Sequence, residues 1–274
     1  MCSMGYYEDI ELLLPYMSIA SIATDYERAE KAYRAGSPIM SDVEFDQLKQ
    51  ELSRLAPHHP ALNPGGLVML SLENNRRISF DEWYQALPGS PELVVQPKID
   101  GISIGLRYVD GKLTEAQTRK GRCALKIAKL ACNIPHRIKA KGNFEVHGEL
   151  WGLPESETDE RSAQSIAAVA ARYGRSEGSG LLFDAYRIIG ALEDELKSIQ
   201  DLEGFGFKVP DTLLCTKPAQ VRSYYAKWLR HEIFDSWPTD GVVVKVFDQR
   251  LQRSLGANNV APRWALALKK NGRA

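Results

Sequence analysis

Phe45, Leu48, Leu52 and Leu55 recur at helical spacing, the pattern of a helix with one buried face. Ser41-Asp42-Val43-Glu44 stands at the head of this run. In that S-x-x-E arrangement each end side chain satisfies a backbone donor that the first helical turn leaves open. A shorter helix is predicted over 26–35, stopped by Gly36-Ser37-Pro38, because glycine and proline punctuate helices. Residues 57–66, with Pro60, Pro64 and Gly65-Gly66, read as a linker. The expected organisation is a helical domain over 1–66 and a larger domain over 67–274.

Beyond the linker a helical stretch is expected around Phe80, Trp83 and Tyr84, after which the pattern turns to alternation. Leu93-Val94-Val95 is strand-like, and Ile102, Ile104, Leu106 and Tyr108 alternate with Ser103, Gly105 and Arg107. Gln96-Pro97-Lys98-Ile99-Asp100-Gly101 reads as a turn between these two strands that fixes Lys98 at a sheet edge. Asp110-Gly111 is a hairpin signal. Residues 144–150 place Glu145, His147 and Glu149 on the face opposite Phe144, Val146 and Leu150. Further strands are expected over 181–186, 242–246 and 264–269, and helices over 161–173, 193–203 and 219–233. The predicted class is α+β.

Three lysines carry the first chemical signal. Lys245 lies on the strand face away from Val242, Val244 and Val246, and Lys269 shares a face with Ala265 and Ala267. An ammonium in such surroundings needs an anionic partner, since burying it alone is costly. Together with Lys98 they suggest a phosphate. A lysine becomes a nucleophile when it is held in place and neighbouring cations or burial favour its neutral amine. On the second helix Asp42 and Asp46 lie one turn apart. They are either acids favoured by the helix dipole or a pair of carboxylates offered to a cationic ligand.

Charge narrows the partners. The chain has 35 basic and 35 acidic residues, so no overall field attracts nucleic acid. Locally, Arg119, Lys120, Arg122, Lys126, Lys129, Arg137, Lys139 and Lys141 run without an intervening Asp or Glu. This is a solvated face or, beside a nucleotide site, a surface for a phosphate backbone. Cys2, Cys123, Cys132 and Cys215 form no C-x-x-C pair, which excludes a zinc ribbon and suggests the reducing cytoplasm. Leu12-Leu13-Leu14 follows Glu8, Asp9 and Glu11, the wrong charge for a secretory leader. No stretch is long enough to span a membrane.

Several motifs in one order carry a resemblance. Lys98-Ile99-Asp100-Gly101, Thr118-Arg119 and Glu145-Val146-His147-Gly148-Glu149 are followed by Asp240-Gly241-Val242-Val243-Val244-Lys245 and Trp264-Ala265-Leu266-Ala267-Leu268-Lys269. In order and spacing the chain resembles covalent nucleotidyltransferases. More narrowly, Met69-Leu70-Ser71-Leu72 and Ser41-Asp42-x-x-Phe45-Asp46 make it similar to the adenylation portion of bacterial-type NAD-dependent DNA ligases. The resemblance implies a small helical domain that binds nicotinamide mononucleotide (NMN), followed by an ATP-grasp-like nucleotidyltransferase domain with mixed and antiparallel sheets.

The same resemblance implies NAD and Mg²⁺ as cofactors and a chemistry for each matched position. Lys98 would attack NAD to give lysyl-AMP and release NMN. Lys245 and Lys269 would hold the α-phosphate, and their charge would activate Lys98. Asp100 would orient Lys98 or a metal ion. Arg119 and Glu149 would bind the ribose and Tyr186 would stack on adenine, with Ser71 and Leu72 beside the base. Gln96 takes the place of a glutamate that contacts the adenine amino group. Asp42, Asp46, Phe45 and Tyr33 would face NMN, with Phe45 where the family has a tyrosine. Ala32-Tyr33 stands where the family has a Tyr-His pair.

The implied nucleic-acid partner is nicked double-stranded DNA. The chain stops five residues after Lys269. The oligonucleotide-binding barrel, zinc finger, helix-hairpin-helix and BRCT parts of full ligases are therefore expected to be absent. The chain reads as an excised domain, a naturally short (viral) protein, or one subunit of a split ligase whose second polypeptide carries them. Two other readings stay open at this point. One is a non-catalytic nucleotide-binding module, the other a nucleotidyltransferase that uses ATP or acts on RNA.

Overall fold

The computed structural model describes residues 19–34, 38–56, 60–62, 67, 69–154, 162–173, 180–189, 194–258 and 261–271. The Tyr33 side chain, residues 12–14 and most of the 57–66 linker lie outside the described residues. The chain divides into two compact units, Met1–Pro64 and Gly65–Ala274.

In the first unit α1 (Ile19–Arg34) and α2 (Asp42–Leu55) are followed by a 3₁₀ turn, Pro60–Leu62. The start of α2 is capped as the sequence predicts. The Ser41 hydroxyl accepts from the Glu44 amide at 3.3 Å, and the Glu44 carboxylate accepts from the Ser41 amide at 2.8 Å. Leu48 and Leu52 bury against Ile22, Ala23, Tyr26 and Ala61, while Phe45 and Leu55 pack at the margin. The first helix begins at Ile19 rather than at residue 26. Ile22 and Ala23 extend its apolar stripe into this core.

The second unit holds two sheets. One runs β1 (Glu73–Asn74), β9 (Ala265–Lys269), β8 (Thr239–Val246), β2 (Leu93–Ile99), β7 (Leu213–Cys215). The other runs β4 (Lys112–Thr118), β3 (Ile102–Val109), β5 (Asn143–Gly152), β6 (Leu181–Ile189). Neighbours pair antiparallel except β1 with β9, so the α+β class with mixed and antiparallel sheets holds. The helices are α3 (Phe80–Gln85), α4 (Leu125–Leu130), α5 (Ala163–Tyr173), α6 (Glu195–Gly204), α7 (Pro218–Leu229) and α8 (Gln249–Leu255). Each sheet has its own apolar core. Ile104, Leu106, Val146 and Phe183 lie in one, and Leu93, Val95, Val242, Val244 and Leu266 in the other.

Two expectations change. Lys98 is not in a turn: β2 runs on through Pro97 and Lys98, and only Asp100-Gly101 turns the chain into the other sheet. β7 pairs β2 only over Leu93, Val94 and Val95, so Pro97 lies where β2 has a strand on one side alone. That is the setting in which a sheet accepts proline. The helix expected over 219–233 stops at Leu229, and His231 and Phe234 then take positive φ angles of 57° and 66°. At the predicted hairpin, Asp110 (φ 46°) and Gly111 (φ 74°) join β3 to β4, as a type I′ turn requires.

Candidate active site

Lys98 on β2 stands opposite Gly241 on β8, which stands opposite Lys269 on β9. Directly paired residues share a sheet face, so two ammonium groups flank one glycine. Between Lys98 and Ile99 the register shifts, Ile99 pairing with Thr239, and Asp240 is the extra residue of a β-bulge. A bulge re-aims the side chain it carries. Here Asp240 Oδ1 accepts from Lys98 Nζ at 2.8 Å and Oδ2 from Lys269 Nζ at 2.7 Å. Burial alone would raise the Asp240 carboxyl, but the two lysines outweigh it and hold it below the usual carboxylate range.

The surroundings brace this triad. The Lys269 amide donates to Asn75 Oδ1 at 2.8 Å, and the Tyr225 hydroxyl donates to the Lys269 carbonyl at 2.8 Å. The Asp100 amide donates to the Pro238 carbonyl at 2.7 Å, pinning the turn after Lys98 to the entry of β8. Burial and the neighbouring Asp240 raise the Asp100 carboxyl above its ordinary value.

On the second sheet Ser103 (β3) and Glu149 (β5) are paired, and the Ser103 hydroxyl donates to Glu149 Oε2 at 2.9 Å. Burial pushes Glu149 up to about 7, against the pull of Ser103, Lys98 and Arg119. Tyr186 on β6 lies beside Ser103 and Glu149, its phenol pushed up by burial and then by the Glu149 charge. The Arg119 amide donates to the Ser103 carbonyl at 3.1 Å while its side chain is exposed. Gln96, buried on β2, donates through Nε2 to Thr212 Oγ1 at 2.8 Å. Ser71 and Leu72 are half-buried in the segment leading into β1.

The structure thus brings together Lys98, Lys269, Asp100 and Asp240, and beside them Ser103, Glu149 and Tyr186. Lys245 does not join the triad. It is buried, with Nζ 3.1 Å from Glu195 Oε2 and 3.2 Å from the Tyr186 carbonyl. In the first unit Asp42 and Asp46 are exposed on α2. Phe45 stacks on Tyr26 of the same unit, ring centroids 5.2 Å apart. Tyr33 falls outside the described side chains. Glu145 and His147 form a buried pair at 2.6 Å.

Sequence reasoning missed Asp240, Ser103, Asn75 and Glu195 as parts of this arrangement. Asp240 does stand in one of the motifs, but its aim depends on a register shift that no spacing reveals. Among the described residues no group of three or more His, Cys, Asp or Glu side chains could hold a metal ion.

The model of the NAD-dependent DNA ligase adenylation domain matches residues 66–162 and 182–273. A DNA ligase of Petrotoga mobilis is 30% identical over 294 residues, covering 89% of this chain and 44% of that protein. A DNA ligase of Parabacteroides distasonis is 31% identical over 291 residues, covering 86% and 43%. The chain therefore spans less than half the length of these relatives. Among solved structures, an archaeal ATP-dependent RNA ligase matches with a TM-score of 0.47 and 12% identity, over 74% of this chain and 48% of that one. The Lys98 strand, the Asp240 bulge and the Lys269 strand all fall inside the matched residues, and the chain belongs to the NAD-dependent DNA ligase adenylation domain family.

Proposed function

We propose that the chain transfers AMP from NAD to its own Lys98, the first step of nick sealing. The Lys98 nitrogen forms a bond to the adenylyl phosphorus as the bond from that phosphorus to the bridging oxygen breaks. NMN leaves with the bridging oxygen, and the lysine nitrogen gives up a proton. The observation that carries this reading is the convergence of Lys98 and Lys269 on Asp240. Two cations side by side favour an anion, and a phosphate entering here meets both a nucleophile and a charge that stabilises its oxygens as they gain negative charge.

The remaining roles are those that the family resemblance implies. Lys269 and Lys245 hold the α-phosphate, Arg119 and Glu149 the ribose, and Tyr186 the adenine, with Gln96, Ser71 and Leu72 around the base. Asp100 orients Lys98. Residues 1–66 form the NMN-binding domain, through Asp42, Asp46, Phe45 and Tyr33, and residues 67–274 the adenylation domain. With no metal-ligating cluster among the described residues, a Mg²⁺ ion would draw its ligands from phosphate and water, with Asp100 as the adjacent carboxylate. Such an ion would neutralise charge on the phosphates of NAD and on the departing NMN.

The proposed nucleic-acid substrate is nicked duplex DNA. DNA-clamping parts would come from the rest of a longer protein or from a second polypeptide. Cys123, Cys132 and Cys215 are free thiols, which fits a reducing compartment such as the cytoplasm. No described helix is long and apolar enough to cross a membrane.

The test is intact-protein mass after incubation with Mg²⁺ and either NAD or ATP, using protein first stripped of bound AMP with excess NMN. One added AMP with NAD and none with ATP is the expected result. Lys98→Ala should remove the label while the far-UV circular dichroism stays unchanged. Labelling that survives this substitution would mean another nucleophile, and no label in either tube would overturn the reading.

A further inference from the structure

Lys245 shares a sheet face with Lys98 and Lys269, yet its ammonium is tied elsewhere. It pairs with Glu195 at 3.1 Å, and the two side chains are only 6% and 1% exposed. Glu195 opens α6 and is fixed twice more. Its amide donates to the Phe247 carbonyl at 3.0 Å, and Oε1 accepts from Gln252 Nε2 on α8 at 2.7 Å. The carboxylate is therefore locked by two helices and cannot follow the lysine. The third N–H of Lys245 has no hydrogen-bond partner among the described residues.

The groups facing Lys245 come from every packed element. Glu195 faces it from α6. From β6 come Arg187 and the Tyr186 ring, whose centre is 5.5 Å from Nζ. From α8, Gln252 binds Glu195, while Arg253, itself beside Asp248, adds charge next to Arg187. β2 and β9 offer only Val94 and Ala265 opposite it. Arg187 is held in place by stacking on Trp264 at 4.1 Å. Burial favours the neutral amine, Glu195 opposes that, and Arg187 works with burial. Of these groups Glu195 alone carries a negative charge that favours the ammonium, beside the Tyr186 carbonyl and ring.

We propose that Glu195 is a positioning residue that keeps Lys245 charged inside the protein, so that its remaining N–H reaches the nucleotide phosphate as an ammonium. The inference rests on the reading of Lys245 as a phosphate-holding lysine. Neutral Lys245 would still fill the site, but it would contribute a weak donor where the transition state needs a cation.

The experiment measures the rate of AMP labelling from NAD between about pH 6 and pH 9 for the wild-type chain, Glu195→Gln and Glu195→Asp. Both variants are first checked for folding by thermal melting. Without the Glu195 charge, Lys245 loses its proton at lower pH. The variant-to-wild-type ratio for Glu195→Gln should then fall about tenfold or more across this range, lying nearest to one at the acid end. The alkaline limb of Glu195→Asp should lie between the other two. A Glu195→Gln ratio that is flat with pH would reduce Glu195 to a purely structural role and overturn the inference. Should Glu195→Gln fail to fold, an alkaline limb for Glu195→Asp that coincides with wild type overturns it equally. Failure of the wild-type chain to label would instead reject the proposed function.

Discussion

Asp240 accepts a hydrogen bond from Lys98 on the neighbouring strand at 2.8 Å, although strict alternation along β8 would aim it away from that lysine. The bulge supplies the extra residue that turns it. Since the same carboxylate also takes Lys269 at 2.7 Å, it sets the spacing between the two ammonium groups. Asp240→Asn keeps the size and removes the charge that holds both. The labelling rate should fall by roughly tenfold to a hundredfold, while the melting temperature moves by only a few degrees. A rate within twofold of wild type would show that the lysines find their places without it.

Gly101 ends the strand-to-turn passage after Lys98, and its need for glycine is spatial. An added Cβ would sit 2.3 Å from the Leu150 carbonyl oxygen and 2.9 Å from Glu149 Cγ. Neither the β5 backbone nor the base of the Glu149 side chain can yield cheaply. Gly101→Ala should cost about 1–3 kcal/mol and lower the labelling rate, because the displaced turn carries Asp100 and ends the Lys98 strand. Unchanged urea denaturation would contradict the close approach.

How far the site could be read from sequence follows from these residues. Strand alternation puts Lys269 and Glu149 on definite faces and a local motif marks Lys98, although the pattern assigns Lys98 to a turn rather than to β2. The pairing of Lys98 with Gly241 and Lys269 was not legible. Register between β2 and β8 links positions more than a hundred residues apart, and nothing local encodes it. Pro97 misled in the other direction: its turn propensity pointed to a loop, and the one-sided pairing of β2 there accommodated it. The short β1 and β7 escaped because a strand of two or three residues has too little alternation to register. The partner of Lys245 escaped because it comes from a helix start, where Glu195 looks like an ordinary acid favoured by the helix dipole.

Glu149 should make stability depend on pH near neutrality. Burial lifts its carboxyl from 4.5 to about 7, so the folded state holds this proton more tightly than the unfolded chain does. The stabilisation is complete below about 4.5 and is lost as pH rises through about 7. Glu149→Gln is neutral throughout and escapes that loss. Its melting temperature should match wild type in acid and exceed it above neutrality, by the equivalent of about 3 kcal/mol. On the proposed role of Glu149, its labelling by NAD should weaken, since the ribose would lose a charged acceptor. Parallel melting curves across this range would show that Glu149 is solvated in the folded protein.

The basic segment lies on the adenylation unit, and its eight cations from Arg119 to Lys141 are all exposed. None of the eight enters an ion pair with a described residue, whereas Arg107, Arg222 and Arg230 are each paired with a carboxylate. Lys126 and Lys129 project from α4 while Ile127 and Ala128 bury beneath them, so they can be reversed in charge without touching the core. A solvated face and a phosphate-binding face differ in one observable, the release of counterions. If the surface meets DNA, the combined change Lys126→Glu and Lys129→Glu should weaken binding to a nicked duplex. It should also reduce the dependence of log K on log salt by about 0.9 for each phosphate that the variant no longer neutralises. AMP labelling from NAD, which needs no DNA, should stay at the wild-type rate. An unchanged salt slope in a variant that still labels would make these lysines a solubilising face and move the search for the DNA-binding surface to other parts of the chain.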